Sequence, residues 1–287
     1  MRRYAVLLLL SISLLSISQS ACQPTEDSHM KAIIGAVLID GLGGPPSSDS
    51  VVVVAGDRIR EAGARSAVLI PEQADKIDGS SKFVVPATLD VYPSADTARA
   101  EGARQKSPAV QLFKVDPAAL QAARDAGTPV IGHVSTQAAV GALVDGGAVG
   151  FIGMITDTED LDAGLVSRLR DLRIFFAPAL VSQGAQVEVA KRNTKRLFTA
   201  GVPIALASNG GDPNRELELL VDAGIPPLDT IVAATRNSAT ALGEINNTGT
   251  IQEGKRADLL LLSANPGEDN RNLRKVVLRM SAGNWVK

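Results

Sequence analysis

Between Val84 and Gly243, short apolar runs alternate with stretches of helical period, and this alternation limits the chain more than any other feature. The runs are FVVPATLD, AVQLFKV, PVIGHV, AVGFIGMI, RIFFAPAL and VPIALAS. Strands that recur with a helix between them pair in parallel, because a parallel connection needs a crossover. Their near-continuous apolar character fits strands buried on both faces. PAALQAARDAG opens on a proline and closes at Gly127, the asymmetry that helices prefer. LDAGLVSRLRDL and GAQVEVAKRNTKRLFTAG read as further helices, followed after the last strand by PNRELELLVDAG and PLDTIVAATRNSATALG. The count is about six βα units within residues 84–248.

Both flanks change character. Residues 31–83 hold the strand AIIGAVLIDG, the turn-rich loop GLGGPPSSDS, and the hairpin VVVVAGDRIREAG turning at Gly56-Asp57. Another turn follows at Asp78-Gly79. Residues 249–287 hold a turn at Glu253-Gly254, an apolar strand over Leu259–Leu262, and a hairpin turning at Ala282-Gly283-Asn284. Two β segments around one α/β unit predict a small β-sandwich built from both chain ends. The fold class is α/β: a reduced (β/α) TIM-like barrel plus that composite sandwich.

Composition excludes some functions. The 287 residues carry a formal net charge of -2 and only 3% aromatics. Nothing in that balance attracts nucleic acid or stacks bases. The N-terminus reads separately. Arg2 and Arg3 precede an apolar run and then small residues, the pattern of a secretory signal over residues 1–22. Cys22 is the sole cysteine, so no disulfide forms within one chain. Its place resembles the acylated cysteine of a bacterial lipoprotein, with Gln19 where such signals usually have leucine. Residues 23–30 are then a tether, and the protein is secreted to the periplasm or anchored to the outer membrane by lipid. Cleavage after Ser20 without lipidation is the alternative.

Four stretches carry a resemblance: GAVLIDGLGGPPSSDSVVVVAGDRIREAG, FVVPATLD, ELELLVDAGIPPLDTIVAATRNSATALG and GTIQEGKRADLLLL. They are similar to the opening strands, the entry to the first barrel strand, the helices after the last strand and the closing signature of the amidohydrolase superfamily. The likeness is to its imidazolonepropionase-like and prolidase-like branch. That resemblance implies a (β/α)₈ barrel with a small β-sandwich, and a site at the carboxyl ends of the strands. One or two divalent metals, zinc above all, would activate water there to cleave a non-peptide C–N bond in an amide or lactam.

Carried over position by position, the family's two paired histidines fall on Tyr92 and Ser94, and a third on Gly153. Its aspartate falls on Asn209. The bridging lysine falls on Lys114 and the remaining histidine on His133. Catalytic zinc takes roughly three protein ligands and an open position, so the expectation is a metal held weakly or not at all by Lys114 and His133. Asp212 is a candidate to replace the lost carboxylate, and alternatively caps the helix that starts at Pro213. Asp116 and Asp157 sit in loops after strands, and His29 lies in the tether. Only 22 residues separate Tyr92 from Lys114, while one βα unit takes about 30. Two units are therefore expected to be absent. The edge strands then pair directly, the sheet stays open, or a homo-oligomer completes the barrel in trans. Three functions follow: a C–N hydrolase working through His133, Lys114 and Asp212; a non-catalytic envelope lipoprotein that binds a small molecule or a partner; or a decayed relative of a longer enzyme.

Overall fold

The computed structural model describes residues 29–93, 109–112 and 114–286; the signal, Cys22 and Ser94 lie outside them. β1 (Met30–Leu38), β2 (Ser47–Ala55) and β3 (Arg58–Ala64) form an antiparallel meander. The four consecutive valines Val51–Val54 are all fully buried. They can be, because both faces of β2 are covered: Val52 and Val54 pack with Ile33 and Ile59, Val51 and Val53 with Ala32, Val68 and Ala74. β4 (Asp75–Asp78) and β5 (Phe83–Pro86) pair with β1 in parallel.

The FVVPATLD run divides between the two halves of the molecule. Its first four residues are β5. Its continuation enters the barrel, where the Leu89 amide donates to the Ala234 carbonyl at 2.7 Å and the Val91 amide to the Leu206 carbonyl at 2.9 Å. β6 (Val110–Leu112), β7 (Val130–Val134), β8 (Gly150–Gly153) and β9 (Phe175–Ala177) form a parallel sheet in that order. VPIALAS joins through a single bridge, Phe176 to Ile204. The described barrel is thus an arc of six runs, ending where residues 206–209 meet residues 89–92.

The connecting helices are α1 (Pro117–Asp125), α2 (Gln137–Asp145), α3 (Ala163–Asp171), α4 (Val187–Thr199), α5 (Pro213–Asp222), α6 (Pro227–Val232) and α7 (Ser238–Ala241). A π-helical segment, Ala233–Asn237, joins the last two. α2 is absent from the sequence-based expectation. QAAVGALVD has almost no polar face, so no helical period shows, yet Thr136 caps it and Val140, Leu143 and Val144 are buried. Strand side chains alternate between two cores, as pleating demands. Phe151, Phe176 and Leu206 pack outward with Leu143, Leu169 and Leu197. Ile152, Phe175, Ala177, Ala205 and Ala207 pack with Leu89 and Val91 on the other side.

β10 (Leu259–Leu262) pairs antiparallel with β5 on one side and with β11 (Val276–Ser281) on the other. β12 (Asn284–Val286) closes the hairpin through Ala282 and Gly283, with φ of 47° and 74°. The composite sheet therefore runs β12-β11-β10-β5-β1-β2-β3, with β4 beside β1. Among the described residues no helix is long and apolar enough to cross a membrane. Leu261 is 1% exposed, beside Val84, Leu259 and Met280. Leu261→Ala should cost about 2–5 kcal/mol in urea denaturation, and a cost under 1 kcal/mol would show that this sheet is not part of the cooperative core.

Candidate site at the carboxyl ends of the barrel strands

His133 lies near the carboxyl end of β7. Its Nε2 is 3.2 Å from Gln111 Oε1 of β6, and its ring meets Tyr92 edge-on, with centroids 4.9 Å apart and planes at 72°. Burial lowers the imidazole pKa, so the ring is neutral near pH 7. Asn209 adopts a left-handed backbone, φ 47°. Its amide donates to the Tyr92 carbonyl at 3.0 Å, and its Nδ2 to Ser182 Oγ at 2.9 Å.

Two buried carboxyls, Asp90 and Glu216, sit in no motif that singles them out in the sequence. Asp90 is 4% exposed and accepts from the Tyr92 amide at 2.9 Å and the Ser208 amide at 3.1 Å. Burial raises its pKa; Ser208 and the Tyr92 amide oppose the shift. The Ser208 hydroxyl is close enough to favour the charged form but lacks hydrogen-bond geometry, the one such buried side-chain atom among the described residues. Glu216, on α5, is fully buried. Its two oxygens accept from the Leu180 and Val181 amides, each at 2.8 Å. Those amides open a 3₁₀ turn, Leu180–Ser182, entered through Ala179 at φ 50°. Burial pushes the Glu216 carboxyl up to about 7, and nearby Asp90 adds to the shift. The sequence signal for Glu216 was a charge on the leucine face of α5.

The other candidates also follow the carboxyl ends of barrel strands. Lys114 is exposed just beyond β6. Asp212 caps α5 through the Asn214 amide at 2.9 Å and pairs with Arg274 at 2.6 Å. Asp116 caps α1, and Asp157 accepts from the Gln137 amide at 3.0 Å. Gly153 has φ 94°, and an added Cβ would fall inside contact distance of the Val134 carbonyl oxygen. No side chain fits there without moving the β7 backbone. Among the described residues no three His, Cys, Asp or Glu side chains converge.

Two outcomes follow. Gly153→Ala should lower stability by about 1–3 kcal/mol through backbone strain and the Val134 clash, read by chemical denaturation; a neutral result would mean the strand end is pliable. Glu216 is protonated more readily folded than unfolded. Its favourable contribution is present below pH 4.5 and is lost as pH rises through about 7. Unfolding free energy should fall by on the order of 3 kcal/mol across that window, and Glu216→Gln should flatten the slope. An unchanged slope in the variant would refute the assignment.

The sequence profile described as the Amidohydrolase family matches residues 116–286, more than half of the chain. The imidazolonepropionase of Geobacillus kaustophilus is 35% identical over 79 residues, 25% of this chain and 19% of that protein. The ochratoxinase of Aspergillus niger is 41% identical over 75 residues, 24% of this chain and 16% of that protein. These matches span less than a fifth of either curated relative. A Xaa-Pro dipeptidase crystal structure with methionine in its active site superposes with a TM-score of 0.75 at 13% identity, covering 90% of this chain and 100% of that one. The profile spans more than half of the residues, and the chain belongs to the amidohydrolase family.

Proposed function

We propose that this chain acts on small molecules with an amide or lactam C–N bond, held at the carboxyl-terminal mouth of the barrel. The carrying observation is His133, a half-buried neutral imidazole fixed between Gln111 and Tyr92 at the strand ends where the family binds its substrates. A neutral imidazole can take a proton from attacking water and return it to the departing nitrogen. Such acid–base catalysis contributes about 10² to 10⁴ in rate. The Tyr92 edge and the Gln111 amide orient the ring. No step is assigned to Lys114, which is exposed, or to Asp212, which is engaged by Arg274. The N-terminal residue pattern supports placing this activity in the cell envelope, anchored through Cys22.

Gly153 favours a second reading, in which the same mouth retains its ligand without cleaving it. Enzymes commonly accelerate reactions by about 10⁶ or more, beyond what one imidazole supplies. The two readings separate in one experiment. The chain is incubated with a panel of lactams and acyl-amino-acid amides, with products followed by mass spectrometry and binding by thermal shift. Product formation that falls by about 10² or more in His133→Ala supports the hydrolase. A thermal shift without product supports retention. Turnover indifferent to His133 would overturn the assignment of the imidazole.

A further inference from the structure

The amino-terminal ends of the barrel strands hold a cavity of about 450 Å³. Val149 precedes β8, Arg173 precedes β9 and Pro203 precedes Ile204, and all three line it. It therefore opens at the opposite end of the sheet from His133. Its size falls within the range of about 300–1,000 Å³ typical of small-molecule sites.

Its lining combines two cations with apolar walls. Arg173 and Arg236 both line it, and no Asp or Glu does. Neither guanidinium forms an ion pair among the described residues. Arg236 is half-buried and held in place, its Nη1 donating to the Leu42 carbonyl at 2.6 Å. It lies in the π-helical segment Ala233–Asn237, a departure from α geometry that recurs at functional sites. Thr240 and Asn237 add polar atoms; Phe175 and Ile245 add apolar surface. Two unpaired cations sharing a concave surface focus a positive potential that attracts an anion. Guanidinium forks match planar and tetrahedral oxyanions alike.

We infer that this cavity binds a small organic anion, a carboxylate or phosphate group on an apolar body, between Arg173 and Arg236. The anion meets the two guanidiniums and its apolar part lies on Phe175 and Ile245. The site is independent of any chemistry at His133.

Calorimetric titration of the full chain with phenylacetate, phenyl phosphate and the neutral phenylacetamide tests it. At least one anion should bind, with the amide at least about tenfold weaker. Arg173→Gln and Arg236→Gln should each weaken that binding at least about tenfold. Arg192→Gln, which removes an equal charge elsewhere, should leave it unchanged. The stronger anion identifies the oxyanion the site is built for. Arg173 is exposed, so its variant reads out even where Arg236→Gln disturbs the Leu42 contact. No anion binding at millimolar concentration, equal binding of the amide, or binding that survives both arginine changes would overturn the inference.

Discussion

One buried carboxylate holds the seam of the barrel. Asp90 stands between strand segments 118 residues apart and accepts backbone amides from both, Tyr92 on its own strand and Ser208 on the last. The Val91-to-Leu206 and Asn209-to-Tyr92 bonds run beside it. A buried carboxyl is costly unless hydrogen bonds satisfy it. Here that cost is offset by amides that would otherwise lie unpaired where two irregular strands meet. The small inner side chains of Ala205 and Ala207 leave room for that approach.

The candidate site is an extension of that seam. Tyr92 follows Asp90 by two residues and brings its ring to His133. Asn209 follows Ser208 and returns its amide to Tyr92. Glu216 then fixes the turn carrying Ser182, which receives the Asn209 side chain. A chain of contacts thus links a buried acid on α5 to the imidazole at the mouth. Protonation of that acid near neutral pH falls on the very loop that borders the site.

Much of this architecture was legible in the sequence, because it rests on periodicity and turns. The six runs, six of the seven helices and both hairpins left patterns that local physics dictates. α2 did not, since a helix without a polar face shows no period. The double role of FVVPATLD was also hidden. An apolar run reads the same whether it pairs in one sheet or passes between two. For the site, His133 and Tyr92 were legible through family positions. Asp90 and Glu216 were not, because their importance lies in burial and in which distant amides face them. Gly153 reads as a missing ligand in the sequence. In three dimensions it is a close approach of two backbones.

The central place of β5 has a consequence for how the chain is made. Residues 83–86 emerge from the ribosome early, but one of their two ladders is completed only by residues 259–262. Until then an apolar strand edge stays open, with the entire barrel between it and its partner in the chain. Contacts of such long sequence separation slow folding and prolong exposure of unpaired edges. Maturation of this protein is thus gated by the arrival of residues 259–262, and the nascent chain is the form most in need of protection.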